Sequence, residues 1–156
     1  MSATKAERYA AAAEEVAAVL AGEPNLTARL ATVAAMLAAA FESYFWTGFY
    51  LVDPDRPEEL VVGPYQGTLG CLRIAFGRGV CGAAAADRRT VIVPDVEAFP
   101  GHIACDARSK SEIVVPVFAA DGALIGVLDV DSTELAAFDG EDAAGLERIL
   151  AETFGR

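Results

Sequence analysis

One polar loop holds the residues best suited to covalent chemistry. Cys105 lies on this loop, next to Asp106 and three residues after His102, the single histidine of the chain. Arg108 and Lys110 follow on the same loop. Neighbouring charges change how much thiolate a cysteine carries, whereas structural cysteines normally lie among apolar residues. Two interpretations stay open at this point: Cys105 is a reactive thiol, or it is an inert loop cysteine.

Three carboxylates are predicted to face one pocket beside this thiol. Asp129 and Asp131 lie two residues apart in a run that predicts a strand, so both side chains project from the same face. Glu112 begins the predicted partner strand of a hairpin. Like charges and partial burial raise the proton affinity of a carboxylate, so the group can hold a proton near neutral pH. The alternative is that both aspartates lie at the solvent-exposed end of a strand.

A thiol beside carboxylic acids suits the reduction of an oxidised sulfur centre. The thiolate attacks the sulfur of a sulfoxide while an acid protonates the oxygen, which stays on the protein as a cysteine sulfenic acid. A second thiol then forms a disulfide, which an external dithiol reduces. Cys71, on a glycine-rich loop, is the candidate for this second thiol. Cys81 lies in an alanine-rich turn, which favours a small buried residue or a reserve thiol.

Length and charge limit the partners of the chain. Its 156 residues predict one domain with one hydrophobic core. Twelve Lys and Arg against 23 Asp and Glu give a formal net charge of -11, which argues against nucleic acid and anionic membrane surfaces as partners. No signal peptide or membrane-spanning run is evident, and three cysteines do not suit a secreted disulfide framework. We therefore expect a cytoplasmic protein.

Helices at both ends and hairpin-linked strands between them predict an α+β fold on an antiparallel sheet. Apolar spacing predicts a helix over 4–20 and a second helix with Thr27 as its cap, and Asp139 is predicted to cap a closing helix. The predicted inward-facing residues of the closing helix are Leu146, Ile149, Leu150 and Phe154. The predicted strands cover 45–52, 60–62, 72–74, 91–93, 112–118 and 124–131, and 63–71 is predicted to be a loop.

Several segments together carry a resemblance to a known family. They are WTGFYL at 46–51, GPYQG at 63–67, CLRI at 71–74, GRGVCG at 77–82, DV at 95–96, GHIACD at 101–106, SEIV at 111–114 and GVLDVDS at 126–132. From the second helix to the closing helix, the chain closely resembles the free methionine-(R)-sulfoxide reductases, which are single GAF-domain enzymes. The resemblance implies one GAF domain over 1–156, with N-terminal helices in 1–42, the sheet and active-site loops in 43–134 and the C-terminal helix in 139–154.

The same resemblance implies roles for the reactive residues. Cys105 matches the catalytic thiol and Cys71 the resolving cysteine, while Cys81 matches a third cysteine and is a further candidate for resolution. Glu112 and Asp131 match carboxylates near the sulfoxide oxygen. The implied reaction is the reduction of free methionine-(R)-sulfoxide to methionine with thioredoxin as electron donor. No cofactor or metal is expected, and homodimers are common in the family.

Three residues are predicted to bind the substrate. Trp46 matches the aromatic wall that receives the methyl group on sulfur, and Asp129 matches the partner of the substrate's ammonium group. Tyr65, in the GPYQG segment, is the third. The chain departs from the family pattern at Phe45, where asparagine is common, and at Gly70, where alanine is common.

Two other functions compete with the reductase. GAF folds often serve as non-catalytic modules that bind small molecules or sense redox state. Such a module does not need three thiols and three pocket carboxylates, and no output domain is evident in the chain. The second rival is a zinc site built from Cys71, Cys81, His102 and Cys105. Since Cys71 and Cys81 lie ten residues apart, they form no chelating pair of the usual spacing.

Overall fold

The computed structural model describes residues 2–103 and 105–156, so Met1 and Ala104, which belongs to the GHIACD segment, lie outside the described residues. The helices are α1 (Lys5–Val19), α2 (Leu26–Ala40), α3 (Gly79–Asp87) and α4 (Gly140–Phe154), with a short 3-10 helix at Val96–Ala98. The strands are β1 (Trp46–Asp53), β2 (Arg56–Gln66), β3 (Arg73–Ala75), β4 (Val91–Val93), β5 (Ser111–Phe118) and β6 (Leu124–Ser132). None of the helices in the described part of the chain has the length and apolar character needed to cross a bilayer.

The strands form one antiparallel sheet in the order β3-β2-β1-β6-β5-β4, so the expected α+β fold is confirmed. On the central strands, Trp46 lies opposite Asp131 and Gly48 lies opposite Asp129. Glu112 of β5 lies opposite Asp131 from the other side. Residues that lie directly opposite each other share a face of the sheet. The register therefore places an indole and three carboxyl groups on one face.

Each face of the sheet has its own apolar cluster. On one face, Phe49, Ile113 and Leu128 pack with buried residues of α1, α2 and α4. On the other face, Trp46 and Tyr50 pack with a smaller cluster that includes Val80 and Cys81 of α3. This division follows from strand geometry, because successive side chains point to opposite faces. The larger cluster supports the fold, while the smaller one surrounds the predicted reactive residues.

The N-terminus of α2 differs from the sequence prediction. Thr27 was expected as its cap, but the cap is Asn25, whose side-chain oxygen accepts a hydrogen bond from the Ala28 backbone N–H at 2.9 Å. Asparagine is at least as good a cap as threonine. The helix therefore begins at Leu26, before the predicted cap. The cap of α4 was predicted correctly, since the Asp139 side chain accepts from the N–H groups of Glu141 and Asp142.

Strand β2 is much longer than the predicted strand at 60–62. Residues 63–66 were predicted to be loop because of Gly63 and Pro64, but the strand continues through them to Gln66. The register with β1 shifts in this region, between the Gly48–Tyr65 and Tyr50–Val62 pairs. Strands tolerate glycine and proline at such bulges. Long-range pairing thus overrides the local loop signal.

Gly48 lets β2 approach β1 beside Trp46. An added Cβ at Gly48 would occupy the space of the Tyr65 Cβ and would lie 2.9 Å from Trp46 Cη2. We expect Gly48→Ala to lower the free energy of unfolding by about 2 kcal/mol, because overpacking forces the strands or the indole to move. Thermal unfolding measures this change. Gly140→Ala is the matched control, since its Cβ would meet nothing within 4 Å. Equal melting temperatures for the two variants would contradict the close packing.

Candidate active site

A cavity opens on the sheet face that α3 covers. With its open mouth included, the empty space is about 520 Å³. Its lining includes six of the predicted site residues, namely Trp46, Cys81, Cys105, Glu112, Asp129 and Asp131. The residues come from strands, a helix and loops that are distant in sequence. The fold therefore brings together the indole, the thiols and the carboxyl groups that the sequence singled out.

Cys71 and Cys105 form a disulfide across the mouth of this site. Their Cα atoms lie 5.7 Å apart, although 34 residues separate them in sequence. Cys71 lies between β2 and β3, and Cys105 lies between the 3-10 helix and β5. Cys71 and Cys105, two of the four residues of the zinc site considered from the sequence, are thus bonded to each other. The structure represents the oxidised form of the site, with the predicted catalytic and resolving thiols joined.

The three carboxyl groups have raised proton affinity. Glu112 and Asp129 are each only 5% exposed, and Asp131 is partly buried. Burial raises the pKa of all three groups, and the charge of a neighbouring carboxylate raises it further: Asp131 for Glu112, Glu112 for Asp129, and Asp129 for Asp131. The alternative that the aspartates lie at the solvent-exposed end of a strand is therefore wrong for Asp129. Carboxyl groups of this kind can keep a proton to donate near neutral pH.

One oxygen of Asp129 has no hydrogen-bond partner among the described residues. Its Oδ1 is buried and accepts no hydrogen bond from the described residues. Such an atom in a native structure calls for an explanation, because leaving a buried acceptor unpaired costs about 1–3 kcal/mol. A cationic donor that enters the cavity would satisfy it.

Cys81 lies beside this carboxyl group and is fully enclosed. It is 4% exposed, and burial, followed by the charge of Asp129, raises the pKa of its thiol. Cys81 therefore stays a thiol, which is poorly nucleophilic. The donor atoms of Cys81, Glu112 and Asp129 lie within 4.8 Å of one another and could hold a metal ion. This set differs from the zinc set considered from the sequence.

Trp46 forms one wall of the cavity and is held on several sides. Its ring stacks on those of Tyr50 and Tyr65, with centroid distances of 5.6 and 5.0 Å. Its Nε1–H donates to the backbone carbonyl of Thr68 at 2.8 Å. These contacts fix the indole plane, so the wall is rigid.

Tyr65 is not among the residues that line the cavity, and its predicted role in substrate binding stays a prediction. It lies opposite Gly48, on the same face of the sheet as Trp46, and its ring packs against the indole. Tyr50 lines the cavity instead. The sequence contained a signal for this, because Trp46 and Tyr50 are four residues apart on one strand and so share a face.

His102 contacts one of the carboxyl groups. Its Nε2 lies 3.3 Å from Glu112 Oε1, and burial lowers the pKa of the imidazole. A neutral imidazole can donate one hydrogen bond and so orient its partner. This contact suits His102 to orient the Glu112 carboxyl group by hydrogen bonding.

Asp106, next to Cys105, joins the loops of the two bonded cysteines. Its Oδ2 accepts from the Thr68 hydroxyl at 2.8 Å and from Arg108 Nη2 at 2.8 Å. The hydrogen bond from the Arg108 side chain is the main reason that the pKa of Asp106 is well below its usual range. Sequence reasoning missed Thr68, because nothing local links two residues 38 positions apart.

Comparisons with known proteins agree with the fold. The GAF domain model matches residues 27–153. The chain is 51% identical over 147 residues to GAF domain-containing protein A of Dictyostelium discoideum, covering 94% of this chain and 90% of that protein. It is 45% identical over 148 residues to the free methionine-R-sulfoxide reductase of Escherichia coli K12, covering 95% of this chain and 87% of that protein.

A solved structure is also similar to this chain in both fold and sequence. The free methionine-R-sulfoxide reductase of Neisseria meningitidis, in complex with its substrate, superimposes with a TM-score of 0.90 at 52% identity. The match covers 99% of this chain and 92% of that one. The cavity, the paired cysteines and these matches lead to one conclusion: the chain belongs to the GAF-domain family of free methionine-(R)-sulfoxide reductases.

Proposed function

We propose that the chain reduces free L-methionine-(R)-sulfoxide to L-methionine, with Cys105 as the attacking thiol. One observation supports this assignment above the others: Cys105 is bonded to Cys71 at a cavity whose wall carries three carboxyl groups with raised pKa. The disulfide is the product expected of a completed reduction. The carboxyl groups are the proton donors that a sulfoxide oxygen requires.

In the first step, the Cys105 thiolate attacks the sulfoxide sulfur. Glu112 or Asp131 delivers a proton to the oxygen, the bond between substrate sulfur and oxygen breaks, and a bond forms between that oxygen and the Cys105 sulfur, which gives a sulfenic acid. The substrate sulfur gains two electrons and the cysteine sulfur loses two. Methionine leaves with an intact thioether. Protonation of the oxygen before it departs is what the raised pKa of these acids provides.

In the second step, Cys71 attacks the sulfenic acid of Cys105. The oxygen leaves as water, and the two sulfurs form the disulfide. We propose that the dithiol of thioredoxin then reduces this bond, as expected for a cytoplasmic protein. Cys105 is exposed and Cys71 is partly buried, so an external dithiol can approach the Cys105 sulfur more easily.

The proposed recognition of free methionine sulfoxide rests on Asp129 and Trp46. The unpaired Asp129 Oδ1 is a partner for the α-ammonium group of a free amino acid. A methionine sulfoxide within a peptide has an uncharged amide in place of that ammonium, so the charge-assisted hydrogen bond to Asp129 would be lost. The Trp46 wall receives the methyl group, which distinguishes the epimers by the direction in which the oxygen points.

The decisive assay compares substrates. The protein is incubated with dithiothreitol and either epimer of free methionine sulfoxide, or with a peptide-bound sulfoxide, and the methionine formed is measured. We expect turnover of the free R epimer alone, because it alone satisfies Asp129 and directs its oxygen to the acids. Cys71→Ser should slow turnover mainly when thioredoxin is the donor. Equal turnover of the peptide-bound sulfoxide would contradict the proposal.

A redox-sensing module remains the second candidate, because a disulfide between two loops also suits a sensor. The same assay separates the two functions. A sensor would form the disulfide with peroxide but would yield no methionine from any sulfoxide.

A further inference from the structure

Two loops meet at the disulfide. We call residues 67–72 the resolving loop and residues 101–110 the catalytic loop; the latter is described except at Ala104. Thr68 of the resolving loop donates its hydroxyl to Asp106 Oδ2 of the catalytic loop at 2.8 Å. We propose that this hydrogen bond is a clamp that holds Cys71 within reach of the Cys105 sulfenic acid. Thr68 and Asp106 would then be positioning residues for disulfide formation, an inference that rests on the proposed function.

Arg108 holds the Asp106 carboxylate, which is the acceptor of the clamp hydrogen bond, in place. Asp106 Oδ1 accepts from the Arg108 backbone N–H at 2.9 Å and from Arg108 Nε at 3.1 Å. The Arg108 guanidinium also lies over the Phe45 ring, 5.0 Å from its centroid. An ionised carboxylate held in this way accepts a charge-assisted hydrogen bond, which is stronger than a neutral one. Because Asp106 directly follows Cys105, fixing its carboxylate restricts the position of the catalytic thiol.

Thr68, the donor of the clamp hydrogen bond, is held as well. The Thr68 carbonyl accepts from Trp46 Nε1 at 2.8 Å, so Thr68 is bonded through both its backbone and its side chain. Gly70 packs closely on the same indole, since an added Cβ there would lie 2.8 Å from Trp46 Cζ2. Cys71 follows Thr68 by three positions, a contour length of about 10 Å. The clamp therefore restricts where the Cys71 sulfur can go.

The clamp would act on the second step and not on the first. When Cys71 attacks the Cys105 sulfenic acid, a sulfur–sulfur bond forms, the sulfur–oxygen bond breaks and water leaves, with the proton of the Cys71 thiol going to that water. The rate depends on the effective concentration of one sulfur around the other. Attack of Cys105 on the substrate does not involve Cys71, the thiol of the resolving loop. Loss of the clamp should slow disulfide formation and leave methionine formation unchanged.

Thr68→Val and Thr68→Ser form a matched pair. Valine keeps the shape of threonine but has no hydroxyl, whereas serine keeps the hydroxyl. Each reduced variant is mixed with one equivalent of free methionine-(R)-sulfoxide, and methionine, sulfenic acid trapped by dimedone, and disulfide are followed with time. We expect disulfide formation about tenfold slower in Thr68→Val and close to the original rate in Thr68→Ser, with methionine formed equally fast in both. Disulfide formation at the original rate in Thr68→Val, or equally slow in both variants, would overturn the proposal.

A second measurement does not depend on the substrate. In equilibrium with dithiothreitol, the disulfide of Thr68→Val should be about tenfold easier to reduce than that of Thr68→Ser, because the clamp stabilises the bonded form. Equal equilibrium constants for the two variants would overturn the proposed role of the Thr68–Asp106 hydrogen bond. Absence of methionine from the unsubstituted protein would instead contradict the proposed function, so the two failures are distinguishable. Equal melting temperatures of the reduced variants exclude a general loss of folding.

Discussion

Cys105→Ser is expected to abolish methionine formation, with a loss of at least about a thousandfold. The reason is that a serine hydroxyl stays protonated near neutral pH, attacks sulfur poorly and cannot accept the oxygen as a sulfenic acid. The measurement is methionine released from free methionine-(R)-sulfoxide in a single turnover. Because Cys105 is exposed at the cavity mouth, we expect this variant to fold normally, and thermal unfolding of the reduced protein checks it.

Cys71→Ser is the control for this variant. It keeps the attacking thiol, so it should release one methionine per chain and stop with a sulfenic acid on Cys105 that dimedone traps. If Cys105→Ser still turned over with dithiothreitol, another thiol would be the attacking group. The buried Cys81 would then be the residue to test, against the inference that its thiol is poorly nucleophilic.

Glu112→Gln is expected to change rate and stability in opposite directions. The rate of methionine formation should fall about a hundredfold or more, because glutamine is isosteric but donates no proton as an acid. The free energy of unfolding near neutral pH should rise. Burial and Asp131 raise the pKa of Glu112, so the folded state holds this proton more tightly than the unfolded state does.

The pH dependence follows from the same shift. For a carboxyl group with a raised folded pKa, stability is fully present below the unfolded pKa and is lost as pH rises towards the folded pKa. The reduced wild-type protein should therefore become less stable as pH rises from about 4, the ordinary carboxyl pKa, through neutral pH, and Glu112→Gln should show a smaller decline. Asp129 and Asp131 leave part of the decline in place, since burial also raises their pKa.

Thermal unfolding of both proteins across this pH range, with methionine formation measured alongside, tests the two effects together. Glu15→Gln, on the exposed side of α1, is the matched control and should change neither quantity. A Glu112→Gln variant that reduced the sulfoxide at the original rate would exclude Glu112 as a required proton donor. Asp131 would then be the remaining candidate for that role.

The features predicted correctly from the sequence depend on local periodicity. The spacing of two between Asp129 and Asp131 places both side chains on one face, and the hairpin brings Glu112 opposite Asp131. These facts require only strand geometry and a short turn. Cys71 was a candidate partner of Cys105 because it lies on a glycine-rich loop, and the family resemblance supported the pairing, since no rule of spacing connects two loops that far apart.

The features that were missed depend on tertiary pairing. Tyr65 packs against the Trp46 ring and is not among the residues that line the cavity, a contact that depends on the pairing of β1 with β2. The extent of β2 was underestimated because Gly63 and Pro64 favour a loop when considered alone. The Thr68–Asp106 hydrogen bond exists only after both loops have been placed by the sheet. Single-sequence reasoning has no access to such contacts, because they join segments that no short-range pattern relates.

The separation of the two apolar clusters has a consequence for repeated catalysis. The larger one, between the sheet and the three long helices, contains no cysteine, whereas Cys81 belongs to the smaller one, Cys71 packs against it and Cys105 is bonded to Cys71. Local opening in proteins begins where few buried contacts hold a segment. Each cycle of oxidation and reduction can thus rearrange the loops that carry Cys71 and Cys105. The larger cluster meanwhile keeps the strands, and with them Glu112, Asp129 and Asp131, in place.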